Sequence, residues 1–318
     1  MQDLYGRKIE YLRVSVTDAC NLCCSYCMPE DAKGKCPCKN SMSIDEFHEI
    51  ASAAAKLGMK KLRITGGEPL VRHDIVELCR ALAQIPGIED IAMTTNGTLL
   101  ADKAEALFEA GIRRINISLD TLDAQKYSEI THGGRLADAI SGIKAALEVG
   151  MRPVKLNTVL IGGFNDDEIE PLARLTESYP VDVRFIELMP IGHTTPYGKD
   201  AYIPNSVVLE KLPELRELES EKGTVARLYS LPDAKGRVGL ISPLSNHFCS
   251  QCNRLRLTAD GCLKPCLHSA EEINVRGLHG EELESAILTA VSHKPKMHVE
   301  LSATERSESQ RSMYRIGG

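Results

Sequence analysis

The sequence predicts an α/β fold: an incomplete (βα)6 TIM-like barrel of residues 1–190, then a smaller α+β module of residues 191–318. Three observations lead there. Six segments rich in Ile, Val and Leu alternate with helix-like runs before residue 190, the composition that parallel strands need when helices cover them. Polar residues gather just past the strand ends, at Cys20–Cys27, Gly66–Glu68, Thr94–Asn96, Ser118–Asp120, Asn157 and Glu187–Met189. The alternation stops after "MPIGHTTPYGKD". Six such steps can also wind into an open sheet. A curved sheet is favoured because it brings six sequence-distant groups to one mouth, as in barrel enzymes.

The elements follow in order. "YLRVSV" is the first strand, and "SIDEFHEIASAAAKLG" the first helix, with Ser43 and Glu46 at capping-box spacing and Gly58 as the stop. "KKLRIT" leads through the turn "GGEP" into the helical "HDIVELCRALAQI", whose Cys79 reads as a small hydrophobe on the buried stripe. "IEDIAMTT" precedes a helix over 101–110, and "IRRINISL" a helical stretch from Asp123 to Val149. "RPVKLNTVLI" precedes a helix over 165–177, and "VDVRFIELM" closes the series. In the module, 205–220 reads as helical, "TVARLYSL" and "RVGLISP" as short strands, and "RLRLTADGCLKPCL" as a hairpin around Asp260-Gly261. "HGEELESAILTAVSHK" is a last helix, and the tail "SMYRIGG" ends in two residues thin enough to enter a tight space.

Composition narrows the function. A net charge of −6 and the absence of Trp argue against a nucleic-acid or anionic-lipid coat. No apolar run is long enough for a membrane span, and the start lacks a signal-peptide core, so the cytoplasm is expected. In that reducing compartment eleven cysteines call for an explanation other than disulfides. Seven lie between Cys20 and Cys79 and four between Cys249 and Cys266, which describes two local sites. There is no G-x-x-x-x-G-K-[ST], so phosphate binding of the P-loop kind is not expected.

Cys20, Cys24 and Cys27 are spaced C-x3-C-x2-C, close enough on one loop to converge on a metal. Zinc wants four ligands, and no histidine lies nearby before His48. Cys249, Cys252 and Cys266 form C-x2-C-x13-C, with Cys262 as an alternative third ligand; four thiols there could also close a zinc site. Arg254 and Arg256 alternate on one strand and so face the same side.

The first triad, with Tyr26 before its last cysteine and "GGEPLVR" after the second strand, resembles the radical S-adenosylmethionine (SAM) enzymes. The string "FCSQCNRLRLTADGCLKPCL" and the terminal "GG" are similar to the twin-cluster members that open molybdenum cofactor synthesis. The resemblance implies two [4Fe-4S] clusters, one on Cys20, Cys24 and Cys27 with SAM on its open iron, the other on Cys249, Cys252 and Cys266 facing the substrate base. Cys23 is expected to be a non-ligand. Gly66, Gly67 and Glu68 are implied to address the methionyl amino group, and Tyr26, Thr94, Thr95, Asn96, Ser118 and Met189 other parts of SAM. The substrate implied is GTP, anchored by Arg13, Lys61, Arg63, Lys155, Arg184, Arg254 and Arg256, with Asn157 lining the same cavity. The resemblance implies that the 3′ hydrogen is removed, that the C3′ radical attacks C8 of guanine, and that reduction and protonation then give (8S)-3′,8-cyclo-GTP. Arg254, Arg256, Gly317 and Gly318 are implied to matter for catalysis. A flavodoxin or ferredoxin as reductant, a homodimer, and handoff to cyclic pyranopterin monophosphate synthase complete what the resemblance implies. "KCPCK" departs from the family, and Cys36 and Cys38 read as idle thiols on an exposed loop. On residues alone, a peptide-directed relative or a zinc-binding scaffold would carry the same cysteines.

Overall fold

The structure, a computed structural model, describes residues 1–28, 41–191, 197–219, 225–298, 301 and 307–317. Cys36, Cys38 and Gly318 lie outside the described residues. Strands β1 (Tyr11–Ser15), β2 (Lys61–Thr65), β3 (Asp90–Thr95), β4 (Arg114–Ser118), β5 (Val154–Leu160) and β6 (Val181–Glu187) run parallel in chain order. Helices α1 (Ile44–Lys56), α2 (Ile75–Ala83), α3 (Ala104–Glu109), α4 (Ala124–Thr131), α5 (Leu136–Glu148) and α6 (Ile169–Ser178) fall between them. This is the partial barrel that the alternation predicts. The capping box forms: Ser43 Oγ accepts from the Glu46 amide at 3.2 Å, and Glu46 accepts from the Ser43 amide at 2.7 Å.

The strands alternate apolar and polar residues. Leu12 and Val14, Leu62 and Ile64, Ile91 and Met93, Ile115 and Ile117, Leu156, Val183 and Phe185 join one core cluster with the apolar faces of the helices. Cys79 is part of it, and burial pushes its thiol up to about 12. The intervening Arg13, Arg63, Thr94, Asn116, Lys155, Asn157 and Arg184 therefore belong to the opposite, inner face. A sheet covered on both faces would have no use for that polarity. The inner face is a polar and cationic wall.

The C-terminal strands continue the same sheet. Helix α7 (Ser206–Lys211) leads to β7 (Arg216–Leu218), β8 (Arg227–Ser230) and β9 (Val238–Ile241), and β9 pairs parallel with β6. At the other edge β10 (Arg254–Leu257) pairs parallel with β1, with Arg256 opposite Arg13 and Arg254 opposite Tyr11. The expected hairpin joins β10 to β11 (Cys262–Lys264), followed by β12 (Ile273–Asn274) and α8 (Gly280–Ser292). An incomplete barrel leaves two rows of unpaired backbone groups at its open edges, and the C-terminal strands pair with both.

Two expectations change. The stretch 123–149 is two helices, because His132 takes a left-handed conformation (φ 55°) and is followed by Gly133-Gly134. Of 205–220, only Ser206–Lys211 is helical, and Arg216–Leu218 pairs as a strand with β8. No described helix is long and apolar enough to cross a membrane.

Candidate active site

The first cysteine loop leaves β1 at the mouth of the barrel. It is held by the C-terminal end of α4: the Cys23 amide donates to Thr131 O (3.2 Å) and the Ser25 amide to Ile130 O (3.0 Å). Tyr26 Oη donates to Asp120 Oδ2 at 2.7 Å, and the Val159 amide donates to Asp120 Oδ1 at 2.8 Å. Asp120 thus ties the loop to the ends of β4 and β5. Burial lifts its carboxyl to about 6 despite both bonds. Sequence reading places Asp120 among the strand-end polar residues but assigns it no task; a buried acid after a strand was the available signal.

Cys20, Cys24 and Cys27 are half-buried and converge, with Cys23, closely enough for like-charge repulsion to help raise the pKa of Cys24 and Cys27. Burial, then mutual repulsion, pushes Cys24 well up and Cys27 to about 12, and burial takes Cys20 to about 11. Three sulfurs that repel as thiolates suit a cationic inorganic partner. Among the described residues no three Cys, His, Asp or Glu groups could hold a single metal ion. A cluster of several irons keeps its cysteines farther apart than one ion does.

Beside the loop lies the glycine turn. A Cβ on Gly66 would sit 2.6 Å from Thr17 O, and one on Gly67 2.4 Å from Ala19 O. Both glycines let the turn press against the backbone leading into Cys20. Gly67→Ala is expected to cost about 2 kcal/mol by overpacking, read as a lower melting temperature, and to lower SAM affinity through the displaced loop; equilibrium dialysis with SAM measures the second effect.

Glu68, expected to address the methionyl amine, sits beside the first cysteine loop at the end of β2. It is 1% exposed, and its oxygens accept from Thr95 Oγ1 (2.7 Å), the Leu70 amide (3.0 Å) and the Asn96 amide (2.6 Å). Its carboxylate ties the end of β2 to that of β3, with the Gly66–Gly67 backbone against the cysteine loop. Thr95 Oγ1 also accepts from the Gly97 amide. Asn96 reaches Asn21 at 2.9 Å, and Asn116 Nδ2 donates to Thr94 Oγ1 at 3.3 Å. Ser118 stands opposite Asn157 in the β4–β5 register, and Met189 follows β6.

The inner wall carries the charge. Arg256, Arg13 and Arg63 are register partners across β10, β1 and β2, and Lys155 and Arg184 stand on β5 and β6. Burial, then repulsion from Arg256 and Arg63, holds Arg13 well below the usual guanidinium range. Burial and Arg63 lower Arg184 to about 10, and burial and Arg254 lower Arg256 to about 10. Burial and Arg184 bring Lys155 down to about 7. Buried Nε atoms of Arg63 and Arg184 and Oδ1 of Asn157 accept or donate no hydrogen bond within the protein. Lys61 begins this row but is exposed. Packed cations, two of them with unused Nε donors, are the chemistry that a polyanion calls for.

The second cysteine set lies at the start of β10. Cys249, Cys252 and Cys266 are half-buried. Burial pushes the Cys252 thiol up, but Arg254 and Lys294 outweigh it and bring it down to about 6. Lys294, 3% exposed, donates to Arg254 O (2.8 Å) and Pro265 O (3.0 Å). Arg7 donates to Cys249 O at 2.8 Å. Nothing in the sequence marks Lys294 or Arg7, because both reach the site from distant segments. Cys262 faces Asp260, Glu272 and Arg311. Gly317 O accepts from Arg256 Nη1 at 2.8 Å, so the tail reaches the same wall.

Residues 14–176 match the family model of the Radical SAM superfamily, and residues 181–300 that of Molybdenum Cofactor Synthesis C. The chain is 50% identical over 321 residues to GTP 3′,8-cyclase of Alkaliphilus oremlandii, covering 100% of both. It is 48% identical over 328 residues to GTP 3′,8-cyclase of Pelotomaculum thermopropionicum, again covering 100% of both. Its fold is similar to that of Streptococcus suis SuiB bound to S-adenosylmethionine, with a TM-score of 0.67 over 98% of this chain and 78% of that one, at 16% identity. It is also similar to anSMEcpe with bound AdoMet, with a TM-score of 0.61 over 92% and 82% at 13% identity. With a cysteine loop and glycine turn at one end of a cationic wall and a second cysteine set at the other, the chain belongs to the GTP 3′,8-cyclase family of the radical SAM superfamily.

Proposed function

We propose that this chain carries out its family's reaction, conversion of GTP to (8S)-3′,8-cyclo-7,8-dihydroguanosine 5′-triphosphate, on the inner wall of the barrel. The observation that carries the reading is the row of packed like charges there, with unused Nε donors on Arg63 and Arg184. Arg13, Arg63, Lys155 and Arg184 anchor the triphosphate, and Asn157 offers its unused oxygen to the same ligand. Arg254 and Arg256, beside the second cysteine set, orient the base end. SAM lies between the Gly66–Gly67 backbone, Tyr26 and the strand ends at Thr94, Asn96, Ser118 and Met189.

When bound at Cys20, Cys24 and Cys27, a [4Fe-4S] cluster with SAM supplies a 5′-deoxyadenosyl radical, and a second cluster at Cys249, Cys252 and Cys266 gives the base an open iron. The protein contributes placement: both ends of the nucleotide are gripped, so C3′ and C8 are held for closure. The tail at Gly317 narrows the chamber against water. The reading extends to a flavodoxin or ferredoxin donor, a homodimer, handoff to cyclic pyranopterin monophosphate synthase, and a cytoplasmic site.

The test incubates reduced, anaerobically reconstituted protein with SAM and each nucleoside triphosphate in turn. GTP alone is expected to give stoichiometric 5′-deoxyadenosine and the cyclised product. Equal deoxyadenosine with all four, or none with GTP, rejects the assignment.

A further inference from the structure

The last described residues form a strap from the second-cluster hairpin to the first cysteine loop. Its near end is held by Arg311, whose side chain is 14% exposed. Nη1 donates to both oxygens of Asp260 (2.9 and 3.0 Å), while Nε and Nη2 donate to Glu272 (2.7 and 2.6 Å). Asp260 sits in the β10–β11 turn, so the grip is on the same hairpin that carries Arg256. At the far end the Tyr314 backbone N–H donates to the Cys27 sulfur, and Arg315 meets Asp18 at 3.3 Å. Ile316 is fully buried. Gly317 takes φ +75°, and a Cβ there would stand 2.5 Å from Thr65 Cγ2 and 3.2 Å from Ser15 Cβ.

We propose that Arg311 is a positioning residue for the reaction: by clamping the strap to Asp260 and Glu272 it sets where Gly317 meets Arg256 and where Tyr314 meets the first cysteine loop. This rests on the functional reading above. The reason lies in leverage. Arg315–Asp18 is a single, partly exposed pair, which is weak. Arg311 makes a bidentate pair to Glu272, the strong form of the interaction, and a second, bifurcated one from Nη1 to both oxygens of Asp260. Five residues separate it from Arg256's partner, so a released clamp lets the strap fray from its end inward.

Arg311→Met keeps the length of the side chain and removes its donors. Amide hydrogen exchange is measured on the reconstituted protein without SAM or GTP. Exchange in 312–317 is expected to quicken about tenfold or more while β1–β6 stay protected. In the assay with GTP, kcat is expected to fall about tenfold or more, the KM for SAM and the iron and sulfide contents being unchanged. Arg311→Lys should lie between the two in both readouts. Unchanged exchange overturns the proposal, as does faster exchange with undiminished kcat. A lowered melting temperature with exchange rising throughout the barrel also overturns it, since Arg311 would then be a general brace. Should Arg311→Met not fold, Asp260→Asn is read by the same measurements and the same outcomes decide. A wild-type protein inert toward GTP would instead reject the functional reading, before any variant is compared.

Discussion

Cys24→Ser removes the iron of the first site and ends 5′-deoxyadenosine formation, whereas Cys23→Ser leaves both intact. Four thiols meet in this loop, so neighbouring cysteines make a stringent pair. Cys23 is 8% exposed, its amide is fixed to Thr131 O, and its thiol lies close enough to add to the repulsion on Cys20, Cys24 and Cys27, so what sets it apart is the C-x3-C-x2-C spacing that omits it. Cys20, Cys24 and Cys27 are half-buried and crowd one another. In the anaerobically reconstituted protein, iron is expected to fall from about eight to about four per chain in Cys24→Ser, two four-iron clusters becoming one. Deoxyadenosine should drop below detection, because no other described group replaces the lost thiolate. Iron and sulfide analysis with an assay of both variants decides it. Equal iron loss in Cys23→Ser would reassign the ligand set.

Arg184→Gln is expected to make the nucleotide-free protein more stable and nearly blind to GTP. Arg184 faces Arg63 and Lys155 on the inner wall, and burial with that repulsion is what lowers its guanidinium to about 10. Removing one like charge relieves the others, so the melting temperature without ligand should rise by about 2–4 °C. With GTP the same change removes a charge-assisted hydrogen bond, which is worth about 1.5–3 kcal/mol, or about 10–100-fold in Kd. Thermal melts with and without GTP separate the two effects. A lower melting temperature with unchanged affinity would mean that Arg184 braces the sheet.

Lys155 adds a pH signature to this site. Its folded value of about 7 lies below the unfolded one of 10.5, so the nucleotide-free fold gains stability as pH rises from 7 toward 10.5. A bound triphosphate raises that value again. GTP binding at pH 8 should therefore take up a proton, and affinity should decline with rising pH above 7. Calorimetry in two buffers of different ionisation enthalpy reads the uptake.

Glu68 shows what residue reading leaves out. Its place in "GGEP" marks it for the cofactor, and three donors around it, two of them backbone amides, also make it a fastening between two strand ends. Spacing along the chain says which residues share a turn; it does not say which neighbouring strand will claim a carboxylate. The clamp at Arg311 was equally hidden, because its two partners lie 51 and 39 residues away. The helical stretch expected over 123–149 divides at His132 for a local reason that was legible, two glycines in a row.

By itself the sequence determined what is local. It set the strand–helix alternation, the two cysteine spacings and the capping box, each of which depends on neighbours within a turn or a strand. The alternation of cation and hydrophobe along β1, β2, β5 and β6 was there to read as well. Only tertiary structure decided that β9 and β10 extend the two open edges of the barrel, and that cations from separate strands share one wall. The physical reason is register: strand pairing sets which side chains from distant segments come into contact, and their charges interact only at that distance.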